Sequence, residues 1–228
     1  IRDIRRIISL LPARRQNLLF SATFSDDIRS LSNSILNDPV QIQVAKRNSP
    51  IDLVRQVAIL VDRERKRDLL RELWASERID QALVFVRSKH GAGRLAEQLQ
   101  RDGIPAAAIH GDRTQSQRIR ALDDFKEGRV DILVATEVAA RGLDIEGLPH
   151  VVNYELPLVP EDYIHRIGRT GRAGMEGDAI SLVASDEFDL LDDIERLLGV
   201  RIPIEVVEGF EPQDHAPASR GRSRGAPA

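Results

Sequence analysis

The sequence contains no cysteine. That excludes disulfides, Cys-ligated zinc and thiol nucleophiles, and it fits a reducing, cytoplasmic setting. Long apolar runs are missing too: stretches such as Ala82–Val86 fall far short of the ~18–20 residues a membrane helix needs. The first residues, Ile1-Arg2-Asp3-Ile4-Arg5-Arg6, include no apolar core of a secretory signal. With no initiator Met, the chain is expected to begin inside a longer one. His90, His110, His150 and His215 lack the spacing of metal ligands, so no metal site is expected. No glycine is followed by lysine, which rules out a phosphate-cradling loop of the G-x-x-x-x-G-K-[ST] kind. The net charge of −3 confines any nucleic-acid surface to a local patch.

What is present is the composition of a soluble globular protein, long enough for one or two domains. Short β-branched runs alternate with amphipathic stretches. Leu18-Leu19-Phe20 reads as a buried strand and Val40-Gln41-Ile42-Gln43-Val44 as an alternating one. Between them Ser25 caps a helix that Asn37-Asp38-Pro39 stops. Residues 45–54, with Lys46-Arg47-Asn48-Ser49-Pro50, read as a linker. Strands are then expected at 56–61, 82–86, 106–109, 131–135, 150–154, 178–184 and 203–207. Helices are expected at 64–75, 91–101, 114–127, 160–167 and 186–198. Thr114 and Gln117 have capping-box spacing ahead of an apolar face of Ile119, Leu122 and Phe125. Gly199 closes a last helix opened by Ser185-Asp186, with Leu191, Ile194 and Leu198 as its core face. Such alternation predicts an α/β fold, a parallel sheet with helices on both faces, over residues 55–210. Residues 1–44 hold too few elements for a domain and read as the tail of a preceding one. Residues 211–228 interleave Arg with Gly and Ser and cannot bury a core, so they are expected to be a disordered basic tail. That tail is either inert or a weak RNA-binding arm.

Three segments carry chemistry. In His165-Arg166-Ile167-Gly168-Arg169-Thr170-Gly171-Arg172, arginines recur every third residue with glycines among them. Guanidinium groups fork onto phosphate oxygens, and glycine permits close approach. Pro160-Glu161-Asp162 starts a helix upstream, which places Arg169 and Arg172 at its end and beyond. A solvated basic helix end is the alternative. The second segment, Ala135-Thr136-Glu137-Val138-Ala139-Ala140-Arg141-Gly142-Leu143-Asp144, follows an apolar strand. In an open parallel sheet, ligands bind beyond the carboxyl ends of strands. There a threonine and free N–H groups suit a phosphate and Asp144 suits a ribose, although such a segment is also a common turn. The third, Ser21-Ala22-Thr23, is weak alone because Ser and Thr routinely cap helices.

Together with Leu83-Val84-Phe85-Val86-Arg87-Ser88-Lys89, His110-Gly111-Asp112, Gln115, Arg118 and Val152-Asn153-Tyr154-Glu155-Leu156-Pro157, these segments resemble the DEAD-box RNA helicases of superfamily 2, in family order, over residues 1 to about 210. The wording Arg14-Arg15-Gln16-Asn17-Leu18-Leu19-Phe20-Ser21-Ala22-Thr23-Phe24-Ser25 is similar to the bacterial RhlE subgroup. The resemblance implies two RecA-like domains with ATP and RNA bound across their cleft, this chain being the end of the first and all of the second. It implies arginine fingers at Arg169 and Arg172, nucleotide contacts from Gly142 and Asp144, and coupling of nucleotide state to closure through Ser21, Thr23 and His165. It also implies an RNA-backbone track of Arg87, Ser88, Lys89, Gly111, Gln115, Arg118 and Thr136. Arg141 and Arg166 become structural partners of acidic groups. ATP and Mg²⁺ are then held mainly by the first domain, which together with RNA and ribosome-assembly or RNA-decay factors makes up the implied partners. One residue departs from the pattern: Glu137 stands where the family usually has Asp, keeping the charge but changing its reach. Without a phosphate loop or an Asp-Glu-Ala-Asp run, this chain alone is not expected to hydrolyse ATP. The rival readings are an RNA-docking module that never meets nucleotide and a DNA helicase of the same superfamily.

Overall fold

The computed structural model describes residues 2–21, 26–42, 54–141, 145, 147–171 and 176–213. The chain divides into two compact units, Ile1–Arg47 and Asn48–Ala228.

The described residues of the first unit form two helices, α1 (Arg2–Ser9) and α2 (Asp26–Ile35). Asn17 closes α2 by donating its Nδ2 to the Ile35 carbonyl at 2.7 Å. The strand expected at 18–20 is irregular, and so are the described residues 40–42 of the other. Phe20 is 89% exposed, and Leu18, Val40 and Ile42 are exposed with it. The physical reason is pairing. An extended segment becomes a strand only when a neighbour takes its N–H and C=O groups, and among the described residues of this unit none does. Ser25, Gln43 and Val44 lie outside the described residues, as do linker positions 45–53 and tail positions 214–228.

The second unit is a seven-stranded sheet in which every pairing is parallel. Its strands are β1 (Val54–Leu60), β2 (Ala82–Val86), β3 (Ala106–Ile109), β4 (Ile132–Thr136), β5 (His150–Asn153), β6 (Gly177–Val183) and β7 (Ile204–Glu205), in the spatial order β3-β4-β2-β5-β6-β1-β7. Val54, assigned to the linker by the sequence, is the first residue of β1. The helices are α3 (Lys66–Ala75), α4 (Lys89–Arg101), α5 (Gln115–Lys126), α6 (Glu137–Ala140), α7 (Pro160–Ile167) and α8 (Phe188–Leu198). Short 3-10 turns at Arg63–Arg65 and Ser185–Glu187 precede α3 and α8, so Ser185-Asp186 opens a turn rather than the helix itself.

Helices cover both faces, so all five residues of β2 are buried. Val84 and Val86 pack with Leu69 and Leu73 of α3 and Leu99 of α4. Leu83 and Phe85 face the other way, onto Phe125 of α5. Farther along that second face, Ala58 of β1 and Ala179 of β6 meet Tyr163 and Ile167 of α7 and Leu191 of α8. Between these two apolar patches runs a polar seam, where Asn153 Nδ2 donates to Ser181 Oγ at 3.2 Å. The capping box of α5 forms as expected, with Thr114 N–H bonded to Gln117 Oε1 at 3.0 Å. Ile119, by contrast, is half-exposed rather than part of the core. Gly199 ends α8 at φ 71°, a conformation other residues adopt only with strain.

Candidate functional site

The residues assigned to the RNA track converge. β3, β4 and β2 are neighbours, with Ile109 opposite Ala135 and Val86 opposite Thr136. Thr136 therefore ends β4 beside the exit of β2, which leads into Arg87, Ser88 and Lys89. Gly111 follows the exit of β3, and Gln115 and Arg118 lie on the first turns of α5. One carboxyl edge gathers them all, where open parallel sheets bind ligands.

Several of these side chains already have partners. Ser88 caps α4, its Oγ accepting from the Gly91 N–H at 3.0 Å. Lys89 pairs with Asp112 at 2.9 Å, and that bond holds the Asp112 carboxyl below the usual range. The Asp112 N–H donates to His110 Nδ1 at 3.3 Å, which requires a neutral imidazole. Burial, followed by the charge of Arg113, pushes the His110 pKa down and keeps it so. Arg118 donates to the Ala139 carbonyl at 3.3 Å and to Gln115 Oε1 at 3.4 Å, tying α5 to α6. Arg87 reaches Glu187 at 3.4 Å.

Arg169 lies elsewhere. α7 follows β5 and returns along the face of the sheet, so its end meets the start of β5 rather than the carboxyl edge. The Leu148 N–H donates to the Arg169 carbonyl at 3.2 Å, just before β5 begins. Thr170 donates its hydroxyl to the Leu148 carbonyl. The carboxyl-edge rule thus accounts for the RNA set and not for the arginine. His165 is half-buried in the last turn of α7, and Ser21 is exposed in the first unit. Thr23, Gly142, Asp144 and Arg172 lie outside the described residues.

Gly177 fixes the Thr170-Gly171 turn. A Cβ there would fall on the Thr170 hydroxyl and 2.6 Å from the Gly171 nitrogen. Gly177→Ala is therefore expected to displace the Arg169–Gly171 turn and destabilise the unit by about 1–3 kcal/mol. Urea unfolding of the purified chain measures it, and an unchanged midpoint would contradict the close packing.

Glu137 forms an ion pair despite its extra methylene. Its Oε2 accepts from Arg166 Nε at 2.9 Å, and its other oxygen lies 3.5 Å from Arg141. Arg141 also pairs with Asp162 at 2.6 Å. Arg166 is only 2% exposed. Its Nη1 donates to the Glu155 carbonyl at 2.8 Å and to Asn153 Oδ1 at 3.2 Å, and the guanidinium lies 4.9 Å from the centre of the Phe85 ring. Burial pushes the Arg166 pKa down and Glu137 opposes it. These contacts fix α7, and with it the Arg169 turn, against the sheet.

Glu155 was quoted by the sequence reading only within a matching segment and given no role, and the pair Lys66–Glu187 was not singled out, yet for the pair a signal exists. Lys66 shares helical spacing with Leu69, Leu70 and Leu73, and Glu187 with Leu191 and Ile194, so each occupies a core position where a charge needs a partner.

Residues 65–174 match the family model for the helicase conserved C-terminal domain. The chain is 45% identical over 196 residues to the DEAD-box ATP-dependent RNA helicase CshA of Geobacillus kaustophilus, covering 86% of this chain and 42% of that relative's length. S. cerevisiae Dbp5 bound to RNA and ADP BeF3 superposes with TM-score 0.81 at 34% identity, over 92% of this chain and 56% of that one. The E. coli DEAD-box protein SrmB, solved with the regulator of ribonuclease activity A, matches with TM-score 0.67 at 38% identity, over 72% of this chain and 96% of that one. The likeness extends to the family without selecting the RhlE subgroup. A parallel sheet with these two edges, matched over nearly all of a DEAD-box chain, places the protein in the DEAD-box RNA helicase family, its larger unit being the RecA-like C-terminal helicase domain.

Proposed function

We propose that this chain serves an ATP-dependent RNA helicase as the end of its first RecA-like domain (1–44) and all of its second (55–210). One observation supports this above the others: the residues assigned to RNA and the arginine assigned to nucleotide lie on two separate faces of the second unit. The carboxyl edge of β3, β4 and β2 gathers Arg87, Lys89, Gly111, Gln115, Arg118 and Thr136, whereas Arg169 leaves α7 beside the start of β5. A domain that only docks RNA needs the first face and has no use for the second.

On this reading the carboxyl edge holds the RNA backbone through phosphates, with low sequence preference. Arg169 and Arg172 are arginine fingers, whose planar forks stabilise charge on a phosphoryl group in transit. Gly142 and Asp144 contact the nucleotide, and Ser21, Thr23 and His165 couple its state to domain closure. Arg169 fits a phosphate because it is a donor-only cation at a half-buried helix end. Mg²⁺ does not fit the described residues, among which no group of three or more His, Asp or Glu could hold a metal. Its ligands belong to the first domain. Among the described residues no helix is long and apolar enough to cross a membrane. The setting is cytoplasmic, of the RhlE type, with ribosome-assembly or RNA-decay factors as partners.

The test uses the purified chain with unrelated single strands of RNA and their DNA counterparts. Binding is expected to be weak and indifferent to base sequence, to favour RNA, and to show no ATP turnover. With three cations on phosphates (Arg87, Lys89 and Arg118), the slope of log affinity against log salt should be about −2. A strong preference for one sequence, equal binding of DNA, or ATP turnover by this chain alone would overturn the reading.

A further inference from the structure

A buried ion pair lies beneath the carboxyl edge and touches it only through Arg87. Lys66, at the start of α3, is 2% exposed, and Glu187, at the end of the turn after β6, is 1% exposed. Their charged groups bond to each other. Lys66 Nζ also donates to the Tyr154 carbonyl at 3.0 Å, and Glu187 accepts from the Ala184 N–H at 3.2 Å. The remaining oxygen of Glu187, Oε1, faces Arg87 Nη2 at 3.4 Å. Arg87 is gripped at its backbone as well, its N–H donating to Glu155 Oε2 at 2.6 Å, and the other Glu155 oxygen stands 3.8 Å from the guanidinium. Two cations and two carboxylates thereby join the exits of β2, β5 and β6 to the first turn of α3, with no net charge.

So deep a pair is a weak device for stability, because the cost of desolvating both ions offsets their attraction and an apolar pair of similar volume serves as well. Burial indeed pushes the Lys66 pKa down against the opposing pull of Glu187. What sets the cluster apart is the division of labour at Glu187, with one oxygen on Lys66 and the other on the first residue of the 87–89 segment. We infer that Glu187, with Lys66 as its counter-charge, is a positioning residue that aims the Arg87 guanidinium along the RNA edge. This rests on the RNA reading given above. Lys66 is essential to the arrangement. Were Arg87 the sole counter-ion of a buried carboxylate, it would be withdrawn from the edge. With Lys66 already neutralising Glu187, Arg87 is oriented and still able to exchange onto a phosphate.

The experiment is RNA-stimulated ATPase of the complete helicase, titrated with single-stranded RNA, with thermal melting alongside. Because Glu187→Gln alone leaves a buried unpaired ammonium, the informative variant is Lys66→Met with Glu187→Gln. It is expected to melt close to wild type and to keep its rate at saturating RNA. The RNA concentration for half-maximal stimulation should rise about tenfold, the lower end of what one charge-assisted bond to phosphate contributes. Arg87→Ala should raise that concentration by a similar factor, and the triple variant by no more than Arg87→Ala alone. Additive effects would overturn the inference, as would an unmoved RNA requirement in the double variant or a lowered melting point without a change in RNA requirement. A wild-type helicase without RNA-stimulated turnover would overturn the helicase reading itself, and this inference with it.

Discussion

Alanine at Arg169 is expected to lower ATP hydrolysis by the complete helicase on the order of a thousandfold or more, while RNA affinity measured without nucleotide stays nearly intact. The argument is positional. Arg169 sits at the turn that ends α7, its carbonyl bonded to the Leu148 N–H at 3.2 Å and its own N–H donating to the Arg166 carbonyl at 3.1 Å. The backbone is therefore fixed on both sides, and the turn is seated on Gly177. A cation presented from so rigid a mount matters most where charge develops during reaction, and least for a strand bound at the opposite edge, where the proposed reading puts RNA. Lysine should not rescue, because a point charge lacks the planar fork. Single-turnover hydrolysis with and without saturating RNA, together with equilibrium RNA binding, decides the matter. Loss of RNA binding with turnover per bound RNA retained would move Arg169 to the RNA track.

The strands of the second unit were legible because a parallel strand covered on both faces must be apolar throughout, and 82–86 and 106–109 are found at the expected bounds. Helix ends were legible where a side chain or a glycine makes the stop, as at Thr114 and Gly199. The segments 18–20 and 40–42 carry the same apolar pattern yet form no strand, since pattern specifies which face is apolar and not whether a partner strand exists. Ile119 fits the helical spacing of Leu122 and Phe125 but is half-exposed, because spacing gives the face of a helix and not how far its cover extends. The four-residue α6 has no periodicity to read. In the candidate site, the RNA set came from the family resemblance, and strand-end reasoning alone reached only the segment that begins at Thr136. The interior charges escaped notice because Lys66 and Glu187 lie 121 residues apart, and only the sheet brings them together. Glu137 shows the limit from the other side. Its type departs from the family pattern, and only the position of Arg166 shows that the longer side chain still closes the pair.

Arg166 is where the largest loss of stability is expected. Removing one partner from a buried charge network costs about 3–5 kcal/mol, because the groups left behind keep their desolvation penalty. Arg166→Ala would leave Asn153 Oδ1 and the Glu155 carbonyl without this donor, strip Glu137 of its 2.9 Å partner, and open a void over Phe85. Asn153 is fully buried and cannot turn to water. Lysine is a poor substitute, since one ammonium cannot reach Glu137 and the β5 exit at the same time from the positions that Nε and Nη1 occupy. Urea unfolding of the purified chain should show a midpoint far below wild type for Arg166→Ala and an intermediate one for Arg166→Lys. A paired change, Arg166→Met with Glu137→Gln, separates charge from packing. It leaves no orphaned ion, so it should recover part of the loss, giving a coupling energy within the range of about 0.5–3 kcal/mol found for contacting residues. Strict additivity of the two changes, or an Arg166→Ala midpoint at the wild-type value, would mean that α7 is held by its apolar contacts and the Arg141–Asp162 pair, and that the polar seam carries no stability.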